Sequence, residues 1–416
     1  MKPTQLLTIL LLFLVLPLVG CSEQKTEVDF IFMKTSDKTQ PYWEQVIADF
    51  QAQNPQIRVN LSVLTWEEGP SQIATLIEQG TPPTLARVAT RWVPGYTSKG
   101  WIEPIDKYLT PEFKNKFDPK LLNEGSQYQG RTFGLPVTTG TRALYYNKDL
   151  FKRAGLTNPP KTWAELKKDA AAISKLGVPG FGIDGGGVEA ATYFYYFLWG
   201  NGGDVLTADG TQAAFNSSSG VEALTFLQGL VADGVTQPDP TLDDRKALET
   251  GFVEGRFGMV VTGPWLATRL AKEAPNLNYD VAPIPYNVKS VTLAAEDTLV
   301  LFKIANDESK KAAWKFVEFL YQDKYRLAYA LQEGVLPETI SVAKDPTFIQ
   351  NSKMSFFMSL LPEGKFEPLN TKSADIASQV GKVMKWVYLK RSTPQDALNK
   401  AAVAVNETLF YSATAW

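Results

Sequence analysis

A tryptophan at the end of an apolar run, Val260-Val261-Thr262-Gly263-Pro264-Trp265, is the side chain of this sequence best placed to offer a flat apolar face. Glycine permits an unusual backbone angle and proline fixes the next one, so the indole that follows has a defined direction. The alternative for Trp265 is ordinary packing under a helix. A second aromatic group is Tyr193-Phe-Tyr-Tyr-Phe-Leu-Trp199. At helical spacing Tyr195 and Trp199 share one face and Phe194 and Phe197 another, so one face is expected in the core and the other against a ligand. Trp66 and Glu67 put an aromatic beside a carboxylate, or else belong to a solvated loop. Asp37 follows the first expected strand and Arg91 the third, and for each of them a surface salt bridge is the competing reading. Aromatic faces combined with planar polar groups are the chemistry that holds a sugar: apolar contact with the ring face and paired hydrogen bonds to vicinal hydroxyls.

Residue types weigh against catalysis. The 416-residue chain has no histidine, the usual general base and commonest metal ligand, and one cysteine. Gly180-Phe-Gly-Ile-Asp-Gly-Gly-Gly187 is glycine-rich but lacks the Gly-Lys-Ser/Thr ending of a phosphate loop and the spacing of a dinucleotide site. Asp243-Asp244 and Glu296-Asp297 are acidic pairs, but adjacency is not the opposition across a bond that a glycosidase needs. A lipid-anchored glycosidase using paired carboxylates and a structural lipoprotein without a small ligand are the alternatives to a binding protein. A net charge of −2 with no long run of either sign attracts neither nucleic acid nor an anionic membrane. No cofactor or metal is implied.

These residues have to be positioned by elements readable along the chain. Lys2, the apolar run Leu6 to Leu18 and Leu18-Val-Gly-Cys21 read as an export signal, too short for a permanent membrane span. Small residues before a lone cysteine resemble the bacterial lipobox, so residues 1–20 are expected to be removed, Cys21 acylated, and 21–26 left as a tether. With no second cysteine, stability must come from the core. Roughly 400 residues remain, too many for one core at about 100–200 residues per domain, and two lobes are expected. Glu27 to Met33, Ile57 to Val63 and Leu85 to Ala89 read as strands, with helices from Pro41 to Asn54 and Ser71 to Gln79 between them, which implies βαβ units. Further strands are expected at Thr132 to Leu135, Ala143 to Tyr146, Gly258 to Val261 and Thr298 to Ile304, with Gly130 and Gly134 as turn residues. Thr162 and Glu165 fit a capping box. The alternation argues for an α/β protein whose sheets are covered by helices on both faces.

Four linked stretches carry a resemblance: Tyr128-Gln-Gly-Arg-Thr-Phe-Gly-Leu-Pro136, Ala143-Leu-Tyr-Tyr-Asn-Lys-Asp-Leu-Phe151, Ala154-Gly-Leu156 and Pro159-Pro-Lys-Thr-Trp-Ala-Glu-Leu166. Phe252 to Trp265 and Tyr325 to Glu338 support it. The sequence resembles the maltose-binding-protein-like family of extracellular solute-binding proteins, the substrate-binding lipoproteins of sugar importers of the ABC type. The resemblance implies a periplasmic-binding-protein-like fold of two α/β lobes joined by a multi-segment hinge, with 27–138 and 294–335 in one lobe and 139–293 and 336–416 in the other. It also implies a monomer that captures a sugar between the lobes, delivers it to permease subunits and catalyses nothing. It places Arg142 at one crossing between lobes, Glu296 and Asp297 at another, and an aromatic at Trp265. Two acids used by some disaccharide-binding relatives are absent here, where Ala89 stands and where Val137 follows the crossover Pro136, and Thr84 replaces a further family acid, so the resemblance names no particular sugar.

Overall fold

The protein is described by a computed structural model covering residues 25–187, 189–303 and 306–413. The expected signal, Cys21 and most of the tether lie outside the described residues. Strands in chain order are β1 (Thr26–Met33), β2 (Ile57–Leu64), β3 (Leu85–Ala89), β4 (Gln127–Tyr128), β5 (Arg131–Thr132), β6 (Gly134–Gly140), β7 (Ala143–Asn147), β8 (Met259–Thr262), β9 (Tyr279–Ala282), β10 (Thr292–Leu293), β11 (Ala295–Leu301) and β12 (Gly364–Lys365).

The first sheet has the order β2-β1-β3-β11-β6. β1 runs parallel to β2 and β3, as a βαβ connection demands, and the linking helix Thr39–Gln53 buries Trp43, Val46, Ile47 and Phe50. Side chains alternate along β1. Phe30 and Phe32 enter a core with Trp43, Phe50 and Phe316, while Ile31 and Met33 enter a second with Ile73, Val88 and Phe302. β11 reaches this sheet from far along the chain and lies antiparallel to both β3 and β6. The second sheet, β8-β7-β9, is antiparallel throughout. Parallel βαβ logic therefore governs the first three strands and not the later ones. The two sheets centre two lobes; the second is packed by helices Trp163–Ser174, Ala190–Gly200, Ser218–Ala232 and Ser373–Tyr388.

Several local expectations meet their physical test. Thr162 accepts from the Glu165 backbone and Glu165 returns the bond, a complete capping box. The strand expected over Thr132 to Leu135 is two strands. Gln129 and Gly130, both at positive φ, turn β4 into β5. Gly134 is not a turn residue but lies inside β6, where a Cβ would fall 2.1 Å from the Thr298 hydroxyl. The strand expected at Thr298 to Ile304 begins and ends three residues earlier, because β11 pairs with β3 and β6 from Ala295 onward.

Candidate functional site

Between β6 and β7 the chain crosses from one sheet to the other through Thr141 and Arg142. Thr141 donates its hydroxyl proton to the Phe357 carbonyl at 2.8 Å, and the Arg142 amide donates to the Thr292 hydroxyl at 2.9 Å. Thr292 donates back to the Arg142 carbonyl at 2.7 Å. With its backbone clamped, Arg142 is 4% exposed and holds its guanidinium 4.7 Å from the Trp265 ring centre. Among the described residues its Nε and Nη1 find no hydrogen-bond partner. A buried guanidinium with unspent donors is costly unless an acceptor arrives.

Trp265 opens the helix Trp265–Glu273 directly after β8. Gly263 makes room for it, since a Cβ there would lie 2.2 Å from the indole. The indole N–H donates to Glu249 Oε1 at 2.7 Å, and that oxygen also accepts from Thr262 at 2.5 Å and Arg245 at 2.8 Å. Arg245 lies over the same indole at 4.8 Å and donates from Nε to Glu189 at 3.0 Å. The bare stacking face expected at Trp265 is therefore corrected: two guanidiniums lie over its ring, and the half-buried indole is one member of an ionic array. Burial pushes the Glu189 carboxyl up, but Arg245, Arg142 and Arg91 outweigh it and hold the pKa low.

Arg91, just past β3, pairs with Glu367 at 3.4 Å, and Glu367 accepts from the Thr192 hydroxyl at 2.6 Å. This pair joins the first lobe to the second. On the first lobe Arg87 donates to Asp297 at 2.5 Å, to the Met33 carbonyl at 2.8 Å and to the Thr35 hydroxyl at 2.7 Å. Its guanidinium lies 5.2 Å from the Trp66 ring centre, and Trp66 meets Trp92 edge-on at 5.7 Å.

Arg91, Arg142 and Trp265 thus come together, while Trp66 and Asp297 meet through Arg87. The remaining expectations are corrected. Glu296 and Asp297 point to opposite sides of β11. Glu296 is buried, accepts from Ser126 at 2.7 Å, and has its pKa raised well above the usual range by burial. A second carboxylate cannot oppose it across a bond from the neighbouring position. Tyr195 and Trp199 offer no wet face, because every residue of Ala190–Gly200 is buried. Asp37 is 96% exposed and pairs with Lys34, and Glu67 is solvated. Of the other acidic pair, Asp244 caps the helix Arg245–Val253.

Arg87, Arg245, Glu249, Glu189 and Glu367 were not anticipated. An arginine at the centre of the apolar strand Leu85–Ala89 was a readable signal, as was the Arg245/Glu249 pair four residues apart on one helix face.

Behind this array Asp184, within the glycine-rich run, is 1% exposed. Burial, then the charge of Glu189, pushes its carboxyl up to about 7. A folded-state pKa above the unfolded value means the native state holds the extra proton, so stability falls as pH rises from about 4 to about 7. Asp184→Asn keeps an acceptor for the Gly187 amide and is expected to abolish that slope. Melting temperatures of both proteins across pH 4 to 8 check this; parallel curves would refute it.

The array combines hydrogen-bond donors, acceptors and an indole of the second lobe, with the charge of Arg91 reaching it from beside β3. Comparison with known proteins agrees. The pattern of the family described as bacterial extracellular solute-binding protein matches residues 35–326. A protein of Brucella abortus (strain 2308) described as a binding protein is 36% identical over 395 residues, covering 94% of this chain and 95% of its own. A maltotriose-binding protein of Pyrococcus abyssi is 26% identical over 313 residues, covering 73% and 65%. Among solved structures, an ABC transporter solute-binding protein of Thermotoga lettingae bound with alpha-D-tagatose superposes with a TM-score of 0.84 at 28% identity, over 92% of this chain and all of that one. Maltose-bound MalE3 of T. maritima shares the fold at a TM-score of 0.83 and 22% identity, over 92% and 99%. Fold and family pattern agree, and the chain belongs to the bacterial extracellular solute-binding proteins.

Proposed function

We propose that this protein is the substrate-binding subunit of a carbohydrate importer of the ABC type, that it captures a neutral sugar or glycoside between its lobes, and that it hands the sugar to a membrane permease without chemical change. The observation that carries this reading is Arg142: a buried, backbone-clamped guanidinium with unpartnered nitrogens beside an indole, at the point where the chain crosses between lobes. Arg87, Arg91 and Arg245 each already pair with a carboxylate. The donors left to Arg142 therefore suit the hydroxyl oxygens of an uncharged ligand. The maltotriose and tagatose named for two relatives support a sugar.

A glycosidase needs a raised-pKa acid facing a second carboxylate. Glu189 is held low by three arginines, Glu296 is turned toward Ser126, and Asp184, whose carboxyl is raised, is 1% exposed and accepts from the Gly187 amide. A thermal-shift screen of the exported protein against mono-, di- and trisaccharides tests the reading. Saturable stabilisation with the sugar recovered intact is the expected result; recovered hydrolysis products would establish an enzyme instead.

We divide the chain as 27–138 with 294–335 and 139–293 with 336–416, apart from the last crossing. That crossing we move beyond Ile340, because Glu338 and Ile340 hydrogen-bond to Asp118 and Lys116 of the first lobe. The Leu18 to Cys21 motif supports removal of residues 1–20 and a lipid on Cys21. Cys21→Ala is expected to move the protein from the membrane fraction to the soluble one; retention in the membrane fraction, unprocessed, would show the signal misread.

A further inference from the structure

Beyond the Arg91–Glu367 pair, along the seam between the lobes, lies an open groove of about 730 Å³. Its volume falls within the roughly 300–1,000 Å³ common for small-molecule sites. Thr97, Tyr128 and Gln129 form one wall from the first lobe, and Gln212, Asn370 and Asn406 form the other from the second. Among the described residues no side chain lining it is ionic, in contrast to the array around Trp265. We propose that this groove is a second binding site, for a neutral saccharide unit, distinct from the array at the crossing.

Three features of the groove recommend a polyhydroxylated ligand. The Thr97 hydroxyl is buried without a hydrogen-bond partner. Buried hydroxyls normally find a partner, and Thr97 is among the residues that line the groove. The amides are also oriented in advance. Asn406 accepts from the Ala213 backbone at 2.7 Å, which turns its NH₂ group to other use, and Asn370 is fixed by the Gly210 carbonyl at 3.3 Å and the Lys372 amide at 2.9 Å. Finally, Gln129 holds φ at +50, one of two described non-glycine residues with positive φ. The turn from β4 into β5 uses that conformation and sets the Gln129 amide 3.4 Å from the Tyr128 hydroxyl at the groove edge. Hydroxyls and amides around an aromatic ring match the alternating polar rim and apolar face of a sugar.

The walls come from different lobes, so occupancy favours the approached arrangement of the two. By linkage, a ligand in the groove strengthens binding at the crossing, and the reverse holds by the same factor. This proposal rests on the sugar reading given above.

Saturation-transfer NMR with maltose, maltotriose and D-tagatose, each titrated into the full mature chain, tests it with three variants. Gln212 is exposed and makes no side-chain hydrogen bond to lose, so Gln212→Ala leaves the fold intact. Thr97→Val keeps the shape, and removing an unpartnered hydroxyl does not lower the melting temperature. Arg142→Ala disables the crossing. The expected result is a saccharide contact that persists in Arg142→Ala and weakens by about fivefold in both Gln212→Ala and Thr97→Val, the loss of one hydrogen bond of ordinary strength. If binding vanishes in Arg142→Ala and is unchanged in the two groove variants, the groove is not a site while the sugar reading stands. If none of the three saccharides binds the unmodified chain, the sugar reading falls and the groove proposal with it.

Discussion

Replacing Arg142 by alanine is expected to weaken sugar binding by about thirtyfold or more, with the protein still folded. The Nε and Nη1 of this residue are buried and unpartnered, and hydrogen bonds to a charged group contribute about 1.5–3 kcal/mol each. One such bond of about 2 kcal/mol already corresponds to roughly thirtyfold in Kd. The substitution also removes one of the two cations above Trp265 and one of the three that hold Glu189 ionised, so the lost affinity exceeds the count of direct bonds. The backbone clamps of Arg142 on Thr292 do not involve its side chain and survive. Calorimetry with the sugar identified by mass spectrometry of ligand released from the denatured protein gives the affinity, and melting temperature gives the fold. A variant that melts like the unmodified protein and binds within twofold of it would remove Arg142 from the site. A variant that melts far lower would instead assign the guanidinium to structure, and Arg142→Lys would then fail to restore affinity.

What could be read from the sequence was mostly local. Leu85–Ala89 is a strand because a short run, apolar at Leu85, Ala86, Val88 and Ala89, can be buried on both faces, and its start follows from Pro82-Pro83 just before it. The Thr162/Glu165 cap is legible for the same reason: both partners lie within four residues. The antiparallel placement of β11 was not legible, because it depends on pairing Thr298 with Pro136 and Val88, far away along the chain. The helix Ala190–Gly200 shows the limit of periodicity. Its two aromatic faces suggested one wet and one dry side, yet a helix apolar all round is a buried helix, and Trp199 is fully enclosed beside Tyr195. Four of the nine described tryptophans, Trp43, Trp163, Trp199 and Trp314, are buried in the same way, so aromatic richness here serves the cores as much as the site. Trp265 follows the Gly-Pro turn that is readable in the sequence, but the two arginines that lie over it come from positions 142 and 245, and no local pattern announces a contact of that range.

The largest effect on stability is expected from Glu338→Ala. Glu338 and Arg326 are each 1% exposed at the side chain and pair directly. Arg326 also donates to the Val137 carbonyl, in the middle of β6, and lies against the rings of Tyr321 and Tyr329. The pair therefore fastens the helix Asp323–Glu333 and the segment after Gly334 to the strand that leads into the crossing, where Leu336 also donates its amide to the Thr139 carbonyl at 3.0 Å. Burial raises the Glu338 carboxyl, with the Arg326 charge opposing it, so the ion exists there only because its partner does. Removing one member leaves a guanidinium in a medium that cannot solvate it, at a cost of about 3–5 kcal/mol. At about 2–4 °C per kcal/mol for a lobe of this size, the melting temperature should fall by on the order of 10 °C. The double variant Arg326→Met with Glu338→Leu should recover most of the loss, since a buried ion pair replaced as a unit by apolar side chains is often neutral or better. Calorimetric melting of the single and double variants decides it. A single variant within about 2 °C of the unmodified protein would mean that water or a shifted side chain already satisfies Arg326, and that the crossing is held by the β6 hydrogen bonds alone.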